Sequence, residues 1–124
     1  MHTIIETSVF ERNAQKLLSK AEYEALIAML SHDPAIGDVM QGTGGFRKLR
    51  LAREGGGKSG GFRVVTFFHC EGCPVYLIDM YGKNEKDNLT QKERNALAAI
   101  AAGLKKHIII ERVGTRRLYG KESF

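Results

Sequence analysis

The chain has 124 residues, 43% of them apolar, with two cysteines and a net charge of +5. That is one compact domain with a core of its own, too short for two ordinary domains. No stretch reaches the roughly 20 apolar residues of a membrane span, and a single cysteine pair, Cys70 and Cys73, excludes a disulfide framework and fits a reducing compartment. In chain order, Ile4 and Ile5 suggest a short opening strand, and the N-terminus lacks the basic start and long apolar run of a signal peptide. Ser8 with Glu11 and Ser19 with Glu22 have the Ser-x-x-Glu spacing of capping boxes, so two helices are expected, ending at Asp33-Pro34. Their apolar stripes are Phe10, Ala14, Leu17 and Leu18, then Tyr23, Leu26, Ile27 and Leu30. Residues 37–45 read as a glycine-punctuated loop.

From Phe46 the period changes to two: Lys48 and Arg50 point one way, Leu49 and Leu51 the other. After a loop with five glycines in 54–61, Phe62 to His69 is rich in β-branched and aromatic residues and reads as a strand. Val75 to Tyr81, nearly continuous in apolar character, reads as a central third strand of the meander, joined to it by a turn at Glu71-Gly72. Thr90 with Glu93 opens a last helix with the stripe Leu97, Ile100, Ala101 and Leu104. The order βααβββα predicts an α+β domain: an antiparallel sheet against an N-terminal helix pair and a C-terminal helix, one face partly open. The domain is expected to span 1–106, with 107–124 an edge strand or a flexible tail.

The charge is unevenly placed. Residues 1–45 hold three basic and six acidic groups. Residues 46–63 hold Arg47, Lys48, Arg50, Arg53, Lys58 and Arg63 against Glu54 alone. Such a cluster attracts polyanions and holds them by counterion release, although a merely solvating basic face has the same composition. Three other motifs fail. Gly57-Lys58-Ser59 has Ala52 where a phosphate-binding loop needs glycine, and a strand follows instead of a helix. Cys70-Glu71-Gly72-Cys73 with His69 is half a zinc site without a second pair, so a hairpin tip with free thiols is expected. The four histidines are scattered, and no serine sits in a nucleophile elbow. No metal and no cofactor are expected.

Four segments together resemble the RelE/HigB toxins of bacterial toxin–antitoxin pairs, most closely the HigB branch. They are Phe46-Arg47-Lys48-Leu49-Arg50, Arg53 with the glycine–lysine loop, Gly61-Phe62-Arg63-Val64-Val65, and the run from Tyr81 through Lys83, Glu85 and Asp87 to Leu89. The resemblance covers roughly residues 3–106 in element order and spacing. It implies a microbial-ribonuclease-like sheet that cleaves messenger RNA in the ribosomal A site without a metal, inhibiting translation in the cytoplasm. It also implies a helix-turn-helix antitoxin as partner, with DNA contacted only through that antitoxin and no membrane involved. Carried over by position, Arg63 matches the strand arginine at the scissile phosphate, and Lys48 and Arg50 match the paired basic residues of the neighbouring strand. Tyr81, Lys83 and Lys86 fall in the segment that supplies further catalytic groups, while Arg47, Arg53 and Lys58 would bind RNA. Asn84 and Thr90 occupy the positions nearest to where relatives carry an arginine and a tyrosine, so either Tyr81 and Lys86 take over those duties or the activity is reduced.

Elementary chemistry agrees with that set. A 2′-hydroxyl attacking the adjacent phosphate builds negative charge, which cations fixed on strands stabilise without rearranging. Like charge disfavours a protonated lysine, so Lys48, Lys83 or Lys86 is a candidate base, assisted by Tyr81. Two other outcomes stay open: a gyrase-inhibiting toxin of the ParE type, or a non-catalytic RNA-binding module on the same scaffold. Arg63 paired with Asp79, and Tyr81 as a half-buried sheet aromatic, are the plain structural alternatives.

Overall fold

The computed structural model describes residues 3–55, 61–82 and 89–112, with side chains as far as residue 106. Thr7, rather than Ser8, caps the first helix: its Oγ1 accepts from the Phe10 amide at 3.1 Å and donates to the Ile78 carbonyl at 2.8 Å. The cap therefore ties α1 (Ser8–Leu17) to the sheet, which a local spacing rule does not detect. Helix α2 (Lys20–His32) opens with the expected reciprocal box between Ser19 and Glu22. The Thr90–Glu93 box likewise forms ahead of α3 (Gln91–Arg112), with both of its hydrogen bonds in place.

The sheet has five strands in the order β1-β5-β4-β3-β2. Strand β1 (Ile4–Glu6) runs parallel to β5 (Val75–Gly82), whereas β3 (Phe46–Leu51), β4 (Phe62–Phe68) and β5 form the antiparallel meander. The loop expected over 37–45 contains β2 (Asp38–Val39), which pairs with Arg47 and Lys48. Gly37 makes this pairing possible. Its φ is +105°, and a Cβ there would stand 2.9 Å from the Lys48 carbonyl oxygen, so the chain can lie against β3 only without a side chain. The strand at the centre is β4, not β5, and residues 62–67 are all buried.

Both faces are covered. Helices α1 and α2 bury Phe10, Leu26 and Leu30 against Leu49, Leu51, Phe62, Val64 and Leu77. On the other face α3 buries Ala101 and Leu104 against Phe46, Val65, Phe67 and Tyr76. Phe67 is core on the α3 face and Phe68 is half-buried where the two clusters meet. The close approach of α3 depends on Gly44, at φ +82°, where a Cβ would lie 2.9 Å from that of Ala101. Helix α3 continues to Arg112, across residues 107–112 where an edge strand or tail was expected. Extending a capped helix by one residue costs little once it is nucleated, and this outweighs the β-branched run Ile108 to Ile110. Among the described residues no helix is long and apolar enough to cross a membrane.

Cys70 and Cys73 are joined in a disulfide within the β4–β5 turn, not free as expected. The turn accounts for it: Gly72 at φ +82° and the Cys73 amide bonded to the Cys70 carbonyl at 2.9 Å bring the two Cα atoms to 5.3 Å. That separation lies within the range a disulfide spans.

Glu22 does more than close its capping box. One carboxylate oxygen accepts from the Ser19 amide at 2.8 Å and the other from the Glu54 amide at 2.6 Å, pinning the end of the β3–β4 connection to α2. These backbone donors, with Arg53 nearby, hold its carboxyl below the ordinary value of 4.5. A group depressed in this way stabilises the fold fully above its unfolded value and loses that contribution as pH falls through the folded one. Glu22→Ala is expected to cost about 1–2 kcal/mol at neutral pH, measured by urea unfolding. The difference from the parent chain should shrink well below pH 4.5; a gap unchanged at acid pH would show that the carboxylate bonds contribute nothing.

Candidate nucleic-acid interface

Register places three of the expected residues in one row. Arg50 on β3 lies opposite Arg63 on β4, and Arg63 lies opposite Tyr81 on β5. Directly cross-strand residues share a face, and alternation adds Lys48 on the same side as Arg50. This is the face that α3 covers at its other end through Phe46, Phe67 and Tyr76. Towards Arg50 the covering thins: Arg50 is exposed, and Lys48 and Tyr81 are half-buried. Arg63, only 7% exposed, forms the floor.

Lys48, Arg50 and Arg63 line one cavity of about 430 Å³, together with Asp38 and the apolar Met29 and Ile36. Asp38, opposite Lys48 in register, is the only acidic residue lining it among the described residues. The pairing of Arg63 with Asp79 is not favoured by the register, which sets Val65 across from Asp79. The Asp79 carboxylate is engaged elsewhere, its Oδ1 accepting from Asn13 Nδ2 at 2.8 Å and from the Met80 amide at 2.7 Å. The row with Lys48 is therefore a set of cations and a tyrosine held on hydrogen-bonded strands, which the described residues leave open on one side.

Two basic residues from the same cluster leave this face. Arg47 alternates to the side opposite Lys48; one guanidinium nitrogen donates to the Gly37 carbonyl at 3.3 Å, and Nε is buried without a partner. Arg53 folds back beyond the end of β3 and lies 4.8 Å above the Phe62 ring, close enough to Glu22 to depress its pKa. Arg47 is half-buried there, while Arg53 stays exposed beside Phe62 and Glu22. Lys58, Lys83 and Lys86 lie outside the described residues.

A family model for the RelE toxin of the RelE/RelB toxin–antitoxin system matches residues 2–112. The chain belongs to the RelE toxin family. It is accordingly the toxin component of a toxin–antitoxin pair, and its partner is an antitoxin. Two RelE-toxin residues at this face have no counterpart in the sequence reading. Arg94, in the first turns of α3, donates to the Gln41 carbonyl and lines a second cavity with Asp38 and Lys48. Asp38 reaches the site only because β2 forms. Arg94 looks like ordinary helix surface in the sequence, and only the packing of the 41–44 turn against α3 reveals it.

Away from this face, Tyr23 donates to the Glu6 carboxylate between β1 and α2. Burial, and then that carboxylate, push its hydroxyl up to about 12, so it stays neutral and acts as a structural link.

Proposed function

We propose that this RelE-family toxin is a ribosome-dependent endoribonuclease that cleaves messenger RNA without a metal ion and so arrests translation in the cytoplasm. The observation that carries the reading is the row Arg50–Arg63–Tyr81, with Lys48 beside it, on the open part of one sheet face. A 2′-oxygen attacks the adjacent phosphorus as its proton passes to a base. The bond to the 5′-oxygen then breaks, and that oxygen takes up a proton, leaving a 2′,3′-cyclic phosphate and a free 5′-hydroxyl. Arg63 and Arg50 hold the phosphate oxygens, on which charge grows in the transition state. Lys48 and Tyr81 stand at the two sides of that row as proton-transfer groups, joined by Lys83 and Lys86 as candidate bases.

The cations are fixed on strands, but nothing in the cavity orders the sugar for in-line attack. A ribosome that splays the A-site nucleotides supplies that ordering, which supports dependence on translation. The antitoxin we expect has a helix-turn-helix domain and an acidic segment over the Lys48–Arg63 face. The test is to induce the protein briefly and map the 5′ ends of transcripts. Codon-positioned cuts within translated regions are expected, and purified ribosomal complexes should be cut equally well after zinc and manganese are chelated while the magnesium that holds the ribosome together is retained. Intact transcripts together with halted DNA replication would replace this reading with gyrase inhibition.

A further inference from the structure

The face described above does not end at the arginine row. A second cavity, of about 510 Å³, lies between the β2–β3 turn and the start of α3. It shares Asp38 and Lys48 with the first cavity, so the two adjoin at the edge of β2 and β3. Arg94 faces it from α3, anchored through the Gln41 carbonyl, while Gln41 and Gln91 are exposed at its rim. Val39, 54% exposed, adds an apolar surface. A volume of this size falls within the range of small-molecule sites.

From this arrangement we infer that the second cavity is an RNA subsite for the nucleotide flanking the scissile phosphate. Its ligand is a single-stranded ribonucleotide unit: the backbone phosphate meets Arg94 and Lys48, and the base lies against Val39. The two glutamine amides, each with donors and an acceptor, reach the base edge, and Asp38 accepts from an exocyclic amine. Lys48 then bridges two consecutive phosphates, which fixes the register of the strand over Arg63. The inference rests on the ribonuclease reading, since it extends the same RNA track. It adds a specificity-determining role for Arg94 and Gln91.

The test uses the full chain and short RNAs carrying a 2′-deoxynucleotide at the cleavage position, so that binding is read without cutting. A dinucleotide, whose single phosphate is the scissile one, is compared with trinucleotides extended by one residue on the 5′ or the 3′ side. One of the extended RNAs should bind about tenfold more tightly than the dinucleotide, the gain expected of one charge-assisted phosphate contact. Arg94→Ala should abolish this gain and leave dinucleotide binding unchanged, and Arg94→Lys should restore part of it. Because Arg94 also braces the 41–44 turn, Gln91→Ala serves as the second variant; its side chain donates along the helix surface to Asn95, and it should lose part of the same gain. Equal binding of short and long RNAs, or variants that keep the full gain, would overturn the subsite. If the dinucleotide binds and Arg63→Ala weakens that binding, the failure is confined to the subsite. If no RNA binds the parent chain off the ribosome, the subsite is overturned, and the nuclease reading is decided by the transcript mapping above.

Discussion

Arg63→Ala should reduce cleavage of ribosome-bound messenger RNA by about a hundredfold to a thousandfold, the usual loss on removing one preorganised transition-state donor. Arg63 sits mid-row between Arg50 and Tyr81, and it is the least exposed of the described cations at the site. Both features strengthen its effect. A central position lets it touch the phosphate whichever neighbour handles the proton, and exclusion from water raises the value of each charge-assisted bond. The assay is primer extension on stalled complexes, with growth after induction as the cellular readout. A thermal melt must accompany it, because removing a buried side chain also leaves a void.

Arg63→Lys separates charge from shape. Lysine keeps the cation but not the planar fork that binds two phosphate oxygens at once, so an intermediate rate is expected. Arg50→Ala, at an exposed edge where water screens the charge, should cost less than Arg63→Ala. A folded Arg63→Ala protein that cuts at the parent rate would remove the basis of the proposed chemistry.

The contrast between Arg63 and its basic neighbours shows how far the sequence could be read. Period two in residues 46–51 set Lys48 and Arg50 apart from Leu49 and Leu51, and the structure keeps that division. The same rule places Arg47 opposite Lys48, so a dense basic run could not form a single patch. Arg53 was less legible: its direction depends on how the chain leaves β3, and Phe62 and Glu22 draw it to the α2 side. Local signals served well where a bond joins residues three apart, as in the Ser19–Glu22 and Thr90–Glu93 boxes. They served poorly where the partner is remote. The Thr7 cap is selected by Ile78, seventy-one positions along the chain. Strand β2 forms because Gly37 can approach Lys48, and the parallel pairing of β1 with β5 involves no neighbouring segment. Arg94 belongs to the same class, reaching across fifty-three positions to Gln41.

Phe67→Ala should cost about 3–5 kcal/mol, a large part of the total stability of a domain this size. The ring is 1% exposed and lies 5.1 Å from Phe46 and 6.4 Å from Tyr76 between ring centres, both tilted. It packs in the cluster that holds Ala101 and Leu104 of α3 to the sheet. Truncation removes the buried ring and its contacts with Phe46, Tyr76 and the stacked His69 together, and the backbone of the central strand cannot move in to fill the space. A melting temperature lower by about 10–20 °C is the expected reading. Phe68→Ala, at a half-buried position, should lower it by less than half as much. The pair also decides whether this aromatic stretch serves stability or substrate. Phe67 is four residues from Arg63 on the same face, close enough to raise the question of base stacking, but its burial assigns it to the core. At a temperature where Phe67→Ala remains folded, cleavage should therefore continue near the parent rate. A variant with unchanged melting but weakened RNA binding would instead place that ring against a nucleobase, and α3 would then have to lie differently on the sheet.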